Sequence, residues 1–205
     1  MMTSDMPESS HAPAHRALVI ALDEALAVLR RSFDVPAGAL DRSESILELQ
    51  HASLGAAPPA RSIPEQAAVA TIARLRSNEP VIPRDRWPIE AHRVVRLLRA
   101  LGGLLPDSGI EPAADELFAQ ALPPAQAGDS AGVLRAAERL GLPPDASAAL
   151  LREALKPEML RTSLPFAALV GETPRGGRCP LCRELPCAAT RALDACCSWC
   201  GTIWR

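Results

Sequence analysis

Cys179-Pro180-Leu181-Cys182 and Cys197-Ser198-Trp199-Cys200 place two Cys-x-x-Cys pairs 14 residues apart near the end of a 205-residue chain. Each pair can wrap a tight turn around one metal ion. Two such turns at the ends of a β-hairpin close a tetrahedral four-sulfur shell. The spacing therefore predicts Cys179, Cys182, Cys197 and Cys200 as the ligands of one zinc or iron ion, since both metals accept four thiolates in this geometry. Four protein thiolates leave no position open for water or substrate, so the expected metal is structural or electron-storing. A dithiol redox motif is the rival reading. It needs one reactive pair at a helix N-terminus beside a βαβ unit, and the sequence offers no such context. Cys187 and Cys196 fall outside the spacing and read as small buried apolar residues of the hairpin, although Cys196 lies next to Cys197 and could compete as a ligand. Trp199 and Trp204 read as a cover that excludes water from the site.

All six cysteines lie in the last 27 residues, and the 178 before them hold none. A secreted disulfide scaffold would spread its bridges over the fold, so the pattern indicates a local site in a reducing compartment. Upstream, the periodicity is helical throughout. Leu18, Leu22, Ala25, Leu26 and Leu29 form the stripe of an amphipathic helix over 14–31, ended by a turn at Val35-Pro36-Ala37-Gly38. Ile46, Leu47 and Leu49 predict a short second helix capped by Ser43 or Ser45, and Ala56-Ala57-Pro58-Pro59 a connector. A third helix runs from Pro64 to Arg76, with Asn78 near its end. Three prolines make 79–88 an extended loop. Pro88 then suits the start of a fourth helix, with Val94, Leu98, Leu101 and Leu105 inward and Arg93, Arg96 and Arg99 on a solvated face. Further helices are expected over 113–122, over 130–140 (closed by Gly141) and over 146–156 (opened by Asp145), with Pro157 kinking or restarting the last. Leu122-Pro123-Pro124 echoes Leu142-Pro143-Pro144 without making a repeat array. No strand-like alternation precedes residue 172. The expected fold is mainly α: a flexible tail over 1–13, a helical domain over 14–172 and a four-cysteine metal-binding ribbon over 173–205.

Apolar residues make up 48% and charged residues 22% of the chain, which excludes global disorder. A net charge of −2 argues against a nucleic-acid coat protein or a polybasic membrane binder. Aromatic residues are 3% with no tyrosine, so stacking platforms for single strands are nearly missing. The longest apolar run, 17–29, is broken by Asp23 and Glu24, so no membrane partner is expected. The first ten residues carry neither a basic nor an apolar leader region, so no secretory signal is expected. Among the basic residues only Lys156 is a lysine, a bias that fits GC-rich coding pressure. Walker, dinucleotide, His-Glu-x-x-His and nucleophile-elbow motifs are missing from the sequence, and His11, His15, His51 and His92 lack ligand spacing. Glu111, Asp115 and Glu116 suit a helix start. The reading is a protein that is not an enzyme and has no small-molecule substrate. In the ribbon, Arg175, Arg178, Arg183, Arg191 and Arg205 outnumber Glu184 and Asp194 by three. Four thiolates on a divalent ion take back about two of those charges. A nucleic-acid-reading ribbon would keep more.

The string Cys179-Pro-Leu-Cys182, Pro186, Cys197-Ser-Trp-Cys200-Gly-Thr202-Ile-Trp204-Arg205 resembles the first rubredoxin-like ribbon of the formate dehydrogenase accessory proteins (FdhE type). The preceding Leu150-Leu-Arg-Glu-Ala-Leu-Lys-Pro157 looks like the helix that family places before its first knuckle. The family carries glycine after each knuckle, where a positive φ brings backbone N–H groups toward the sulfurs. Gly201 matches and Arg183 departs. The family also has a second ribbon, so the resemblance is to a short divergent or truncated member. It implies a cytoplasmic, non-enzymatic factor that binds the catalytic subunit of a molybdenum- or tungsten-dependent formate dehydrogenase during maturation. The competing reading is a zinc-ribbon protein bound to nucleic acid or to the transcription machinery.

Overall fold

Left-handed residues close three of the described helices of this chain. The computed structural model describes residues 37–56, 64–166 and 177–183, together with 169, 186–189, 195–197, 200 and 203–204. Within them run six α-helices: α1 (Ala37–Gly55), α2 (Glu65–Arg76), α3 (Ala91–Gly102), α4 (Ala114–Ala127), α5 (Ser130–Arg139) and α6 (Pro144–Ser163). Short 3-10 turns cover Arg84–Arg86, Pro106–Ser108 and Leu164–Phe166. Three brief strands, β1 (Pro186–Ala189), β2 (Ala195–Cys197) and β3 (Ile203–Trp204), pair antiparallel in that order. The protein is mainly helical, as its periodicity indicates. The expected tail over 1–13, the helix over 14–31 and the prolines of the 56–59 connector lie outside the described residues.

The chain divides into two compact units, Met1–Leu47 and Glu48–Arg205. The described part of the first is the opening of α1, where the Ser45 hydroxyl donates to the Asp41 carbonyl at 3.0 Å. Ser45 is therefore inside a helix and bonded back one turn, not at an N-cap. Ala37 and Gly38, expected in a turn, belong to the same helix. No proline or capping glycine interrupts 39–54, so the chain continues as one helix.

In the second unit, α2, α4 and α5 all end in a residue at positive φ with the same pair of closing hydrogen bonds. Asn78 (φ 61°) ends α2, with Asn78 N–H donating to Leu75 O at 3.2 Å and Glu79 N–H to Arg74 O at 3.0 Å. Gly128 closes α4 through Asp129 N–H to Pro124 O at 2.8 Å, and Gly141 closes α5 through Leu142 N–H to Ala137 O at 3.0 Å. Asp129 then caps α5, its Oδ1 accepting from Gly132 N–H at 2.8 Å.

The helix expected to end at 122 runs on through two prolines. Pro123 and Pro124 lie inside α4, and Pro157 lies inside α6 without ending it. An interior proline removes a helix hydrogen bond, yet here packing prevails. Leu117, Phe118 and Ala121 hold α4 on its buried side, and Leu155, Pro157 and Met159 do the same for α6. The second Leu-Pro-Pro is a start signal instead, with Pro143 at the N-cap and Pro144 in the first turn. Asp145 is thus inside the helix it was expected to cap.

Helix α3 packs on α4 and α6, and α5 packs on the same two helices. Leu98, Leu101, Ile110, Leu117, Leu151 and Met159 fill the space between them, with Ala114, Ala121, Ala136, Ala137 and Ala154 also buried where side chains must be small. Gly102 is needed for the same reason: a Cβ there would stand 2.7 Å from the Glu111 backbone nitrogen. Helix α3 begins at Ala91, three residues after Pro88, and Leu105 falls beyond its end.

One expected solvated residue is not solvated. Arg96 and Arg99 are exposed, but Arg93 is 6% exposed and faces Glu158, itself 4% exposed, across the α3–α6 contact at 3.7 Å. Arg161 donates to both Glu158 oxygens and to Glu90 at 2.9 Å, while Arg93 Nη1 lies 3.8 Å from Glu90. The hydrogen bond to Glu158 holds the Arg161 guanidinium above its already high ordinary pKa. Two arginines thus balance two glutamates, which is what makes the burial tolerable. Glu158→Gln should lower stability by about 3 kcal/mol, seen as a lower urea midpoint, because Arg93 stays buried beside a neutral amide. Gly102→Ala should cost about 1–3 kcal/mol in the same measurement, with the helical circular dichroism of the folded state unchanged.

Candidate metal centre

The four cysteines of the two Cys-x-x-Cys pairs come together. Cys179 and Cys182 flank a turn over 179–183, closed by Arg183 N–H donating to the Cys179 carbonyl at 2.8 Å. Cys197 ends β2, and Cys200 follows in a turn, its N–H donating to the Cys197 sulfur at 3.4 Å. The sulfurs of Cys179 and Cys200 are 3.6 Å apart, those of Cys182 and Cys197 3.5 Å, and those of Cys182 and Cys200 3.7 Å. All four lie within 4.8 Å of one another. A disulfide would need about 2.05 Å. A tetrahedron of sulfurs each about 2.3 Å from a central zinc has edges of about 3.8 Å, which these separations approach. The four cysteines are placed to hold one metal ion.

Their surroundings suit a cation and little else. Every one of the four is buried, between 0% and 6% exposed. Hydrogen bonds among the sulfurs push Cys197 well below the usual thiol range, chiefly through Cys179, and Cys179 down through Cys182. The same sharing pushes Cys182 and Cys200 up, each chiefly through Cys179. Four thiolates so close in a buried pocket repel one another, so keeping all of them ionised takes a cation among them. Among the described residues this is the group of His, Cys, Asp or Glu side chains with such a geometry. His51 and His92 are both exposed, and His11 and His15 lie outside the described residues.

The site is anchored to the helices. Leu181, between the first two ligands, is fully buried, and its carbonyl accepts from Ile82 N–H at 3.0 Å in the connection between α2 and α3. At the end of α6, buried Ser163 donates to the Leu160 carbonyl at 2.9 Å and reaches the Cys200 carbonyl at 3.5 Å. Arg183 takes φ 65° after the first knuckle, where glycine would be at ease, and its guanidinium bonds Asn78 Oδ1. Sequence reasoning missed Ile82, Ser163 and the Asn78–Arg183 pair. Asn78 carried a signal, because asparagine is the residue other than glycine that most often ends a helix in the left-handed region, and so did Arg183, standing where the turn suits glycine.

Cys187 and Cys196 are placed by backbone alone. Cys196 pairs with Ala188 and Ile203, and Cys187 is the extra residue where the β1–β2 register shifts. Their side chains, that of Trp204, and Trp199 as a whole lie outside the described residues.

Cys182→Ser and Cys197→Ser should each lose the metal by elemental analysis, with most of the helical circular dichroism retained. Full metal content in both would refute the ligand set. Cys187→Ala and Cys196→Ala should keep one metal per chain. Because the ligands are thiolates, lowering the pH should release the metal and raising it should restore binding, followed with a colorimetric chelator.

No family model, curated protein or solved structure matches this chain.

Proposed function

We propose that the protein is a non-enzymatic accessory factor of the formate dehydrogenase type. In this reading it binds the catalytic subunit of a molybdenum- or tungsten-dependent formate dehydrogenase during its maturation in the cytoplasm. Its four cysteines hold one zinc or iron ion in a rubredoxin-like ribbon, for which the short antiparallel strands β1 to β3 between and beyond the ligand pairs are a suitable frame. The observation that carries the reading is the closed, buried sulfur shell. A metal with four protein ligands has no place for substrate or hydroxide, so such a protein acts through what its surface recognises. The choice of client comes from the resemblance carried by Cys179-Pro-Leu-Cys182 and by Thr202 and Trp204 after the second pair.

Two features of the helical body agree with a binding role. The described histidines are exposed, and the buried ionisable groups Arg93 and Glu158 are paired with each other. Among the described residues no helix is long and apolar enough to cross a membrane.

Affinity capture from the native host grown on formate tests the reading. The intact protein should recover a formate dehydrogenase catalytic subunit, and the Cys179→Ser protein should recover less. Deleting the gene should lower formate dehydrogenase activity. Recovery of RNA polymerase or nucleic acid instead, with that activity unchanged, would end it. Elemental analysis of the same preparation decides between zinc and iron.

A further inference from the structure

Two non-glycine residues among those described have positive φ, Asn78 at 61° and Arg183 at 65°, and they are bonded to each other side chain to side chain. Asparagine accepts this backbone region fairly readily, but a long side chain such as arginine is strained there and persists only where its surroundings hold it. Here the holding is mutual. Asn78 ends α2 and Arg183 ends the first metal turn, so one bond joins a helix cap to a knuckle. Beside it, Ile82 N–H donates to Leu181 O at 3.0 Å, Arg178 Nη1 to Arg183 O at 3.2 Å, and Arg74 Nη1 to Pro80 O at 3.4 Å.

We propose that the Asn78–Arg183 bond and the Ile82–Leu181 hydrogen bond form a latch through which metal occupancy at the four cysteines sets the order of the connection over 78–83. A five-residue turn over 179–183 is too short to hold its shape without an ion drawing Cys179 and Cys182 together. Without that shape, the Leu181 carbonyl and the Arg183 guanidinium are no longer presented to the connection. The effect should stop soon after Ile82. Arg84 Nη2 donates to the Ala125 carbonyl at 2.8 Å in the last turn of α4, and Trp87 is 3% exposed, so the far end of the connection is fixed independently of the metal. Asn78 and Glu79 are exposed. The latch therefore makes a stretch of protein surface depend on the metal. The inference rests on the cysteines holding an ion and is independent of which client the protein serves.

The test is hydrogen exchange by mass spectrometry on the full chain loaded with zinc, before and after removal by a chelator. Removal should speed exchange in peptides over 77–83 by about tenfold or more, while peptides over 114–139 change little. Arg183→Gly keeps the backbone region permissible and deletes the guanidinium. Asn78→Gly keeps the helix cap and deletes the acceptor. Both variants should bind one zinc and show raised exchange over 77–83 with the metal in place. Unchanged exchange over 77–83 on zinc removal would overturn the latch, as would loss of protection throughout the helices. Wild-type protection in both variants, or loss of zinc from both, would also overturn it, since the pair would then be idle or part of the metal site itself.

Discussion

Four sulfurs within 4.8 Å of one another, none more than 6% exposed, form a group that water cannot stabilise and that protons satisfy poorly. A cation placed among them would meet that constraint. The strands beside the sulfurs are two to four residues long, far too short to hold a sheet on their own account. What fixes them is the requirement that Cys197 and Cys200 return to Cys179 and Cys182. An ion held by the four cysteines would take the place of the apolar core that so small a segment cannot build.

The constraint also reaches the helices, because the sulfurs are buried against protein. One ligand turn uses the connection after α2 as its backbone partner, and the other meets the end of α6. Helix α6 also carries Glu158, which neutralises Arg93 from α3. The same helix therefore takes part in a charge-balanced contact in its interior and in the metal segment at its terminus. The two contacts differ in how they fail. Removing a partner from the ion pairs leaves a charge without compensation where solvent cannot reach. Removing the metal leaves thiols that can take up protons, a milder change and a local one.

Several of these features were legible in the sequence, for physical reasons that can be named. The grouping of the four cysteines follows from a two-residue gap, because only a tight turn brings sulfurs so spaced to one ion. The ends of α2 and α5 are visible in Asn78 and Gly141, because few residues tolerate positive φ. The misreadings share a cause as well. Proline at 123 and 124 reads as a helix stop and at 157 as a kink or a restart, yet both helices run on, because their buried neighbours outweigh the lost backbone bonds. Arg93 sits at the same helical spacing as exposed Arg96 and Arg99, and partners from other elements, Glu158 and the Ser53 carbonyl, meet it where it is buried. Periodicity describes one element at a time. It carries no account of a partner that arrives from another.

Arg183 shows where a local rule and a long-range contact meet. By turn chemistry the position after the first ligand pair suits glycine, and an arginine there reads as a departure. The backbone takes the conformation glycine would have taken, at φ 65°, so the geometry of the turn is kept and its strain is borne. The compensation comes from Asn78, another residue in the same backbone region at the end of a helix. Glycine would relieve the strain and leave the knuckle without its side-chain tie to α2. The strained backbone at Arg183 thus goes together with a contact that glycine could not make. In this chain that position is where the metal turn meets the helical body.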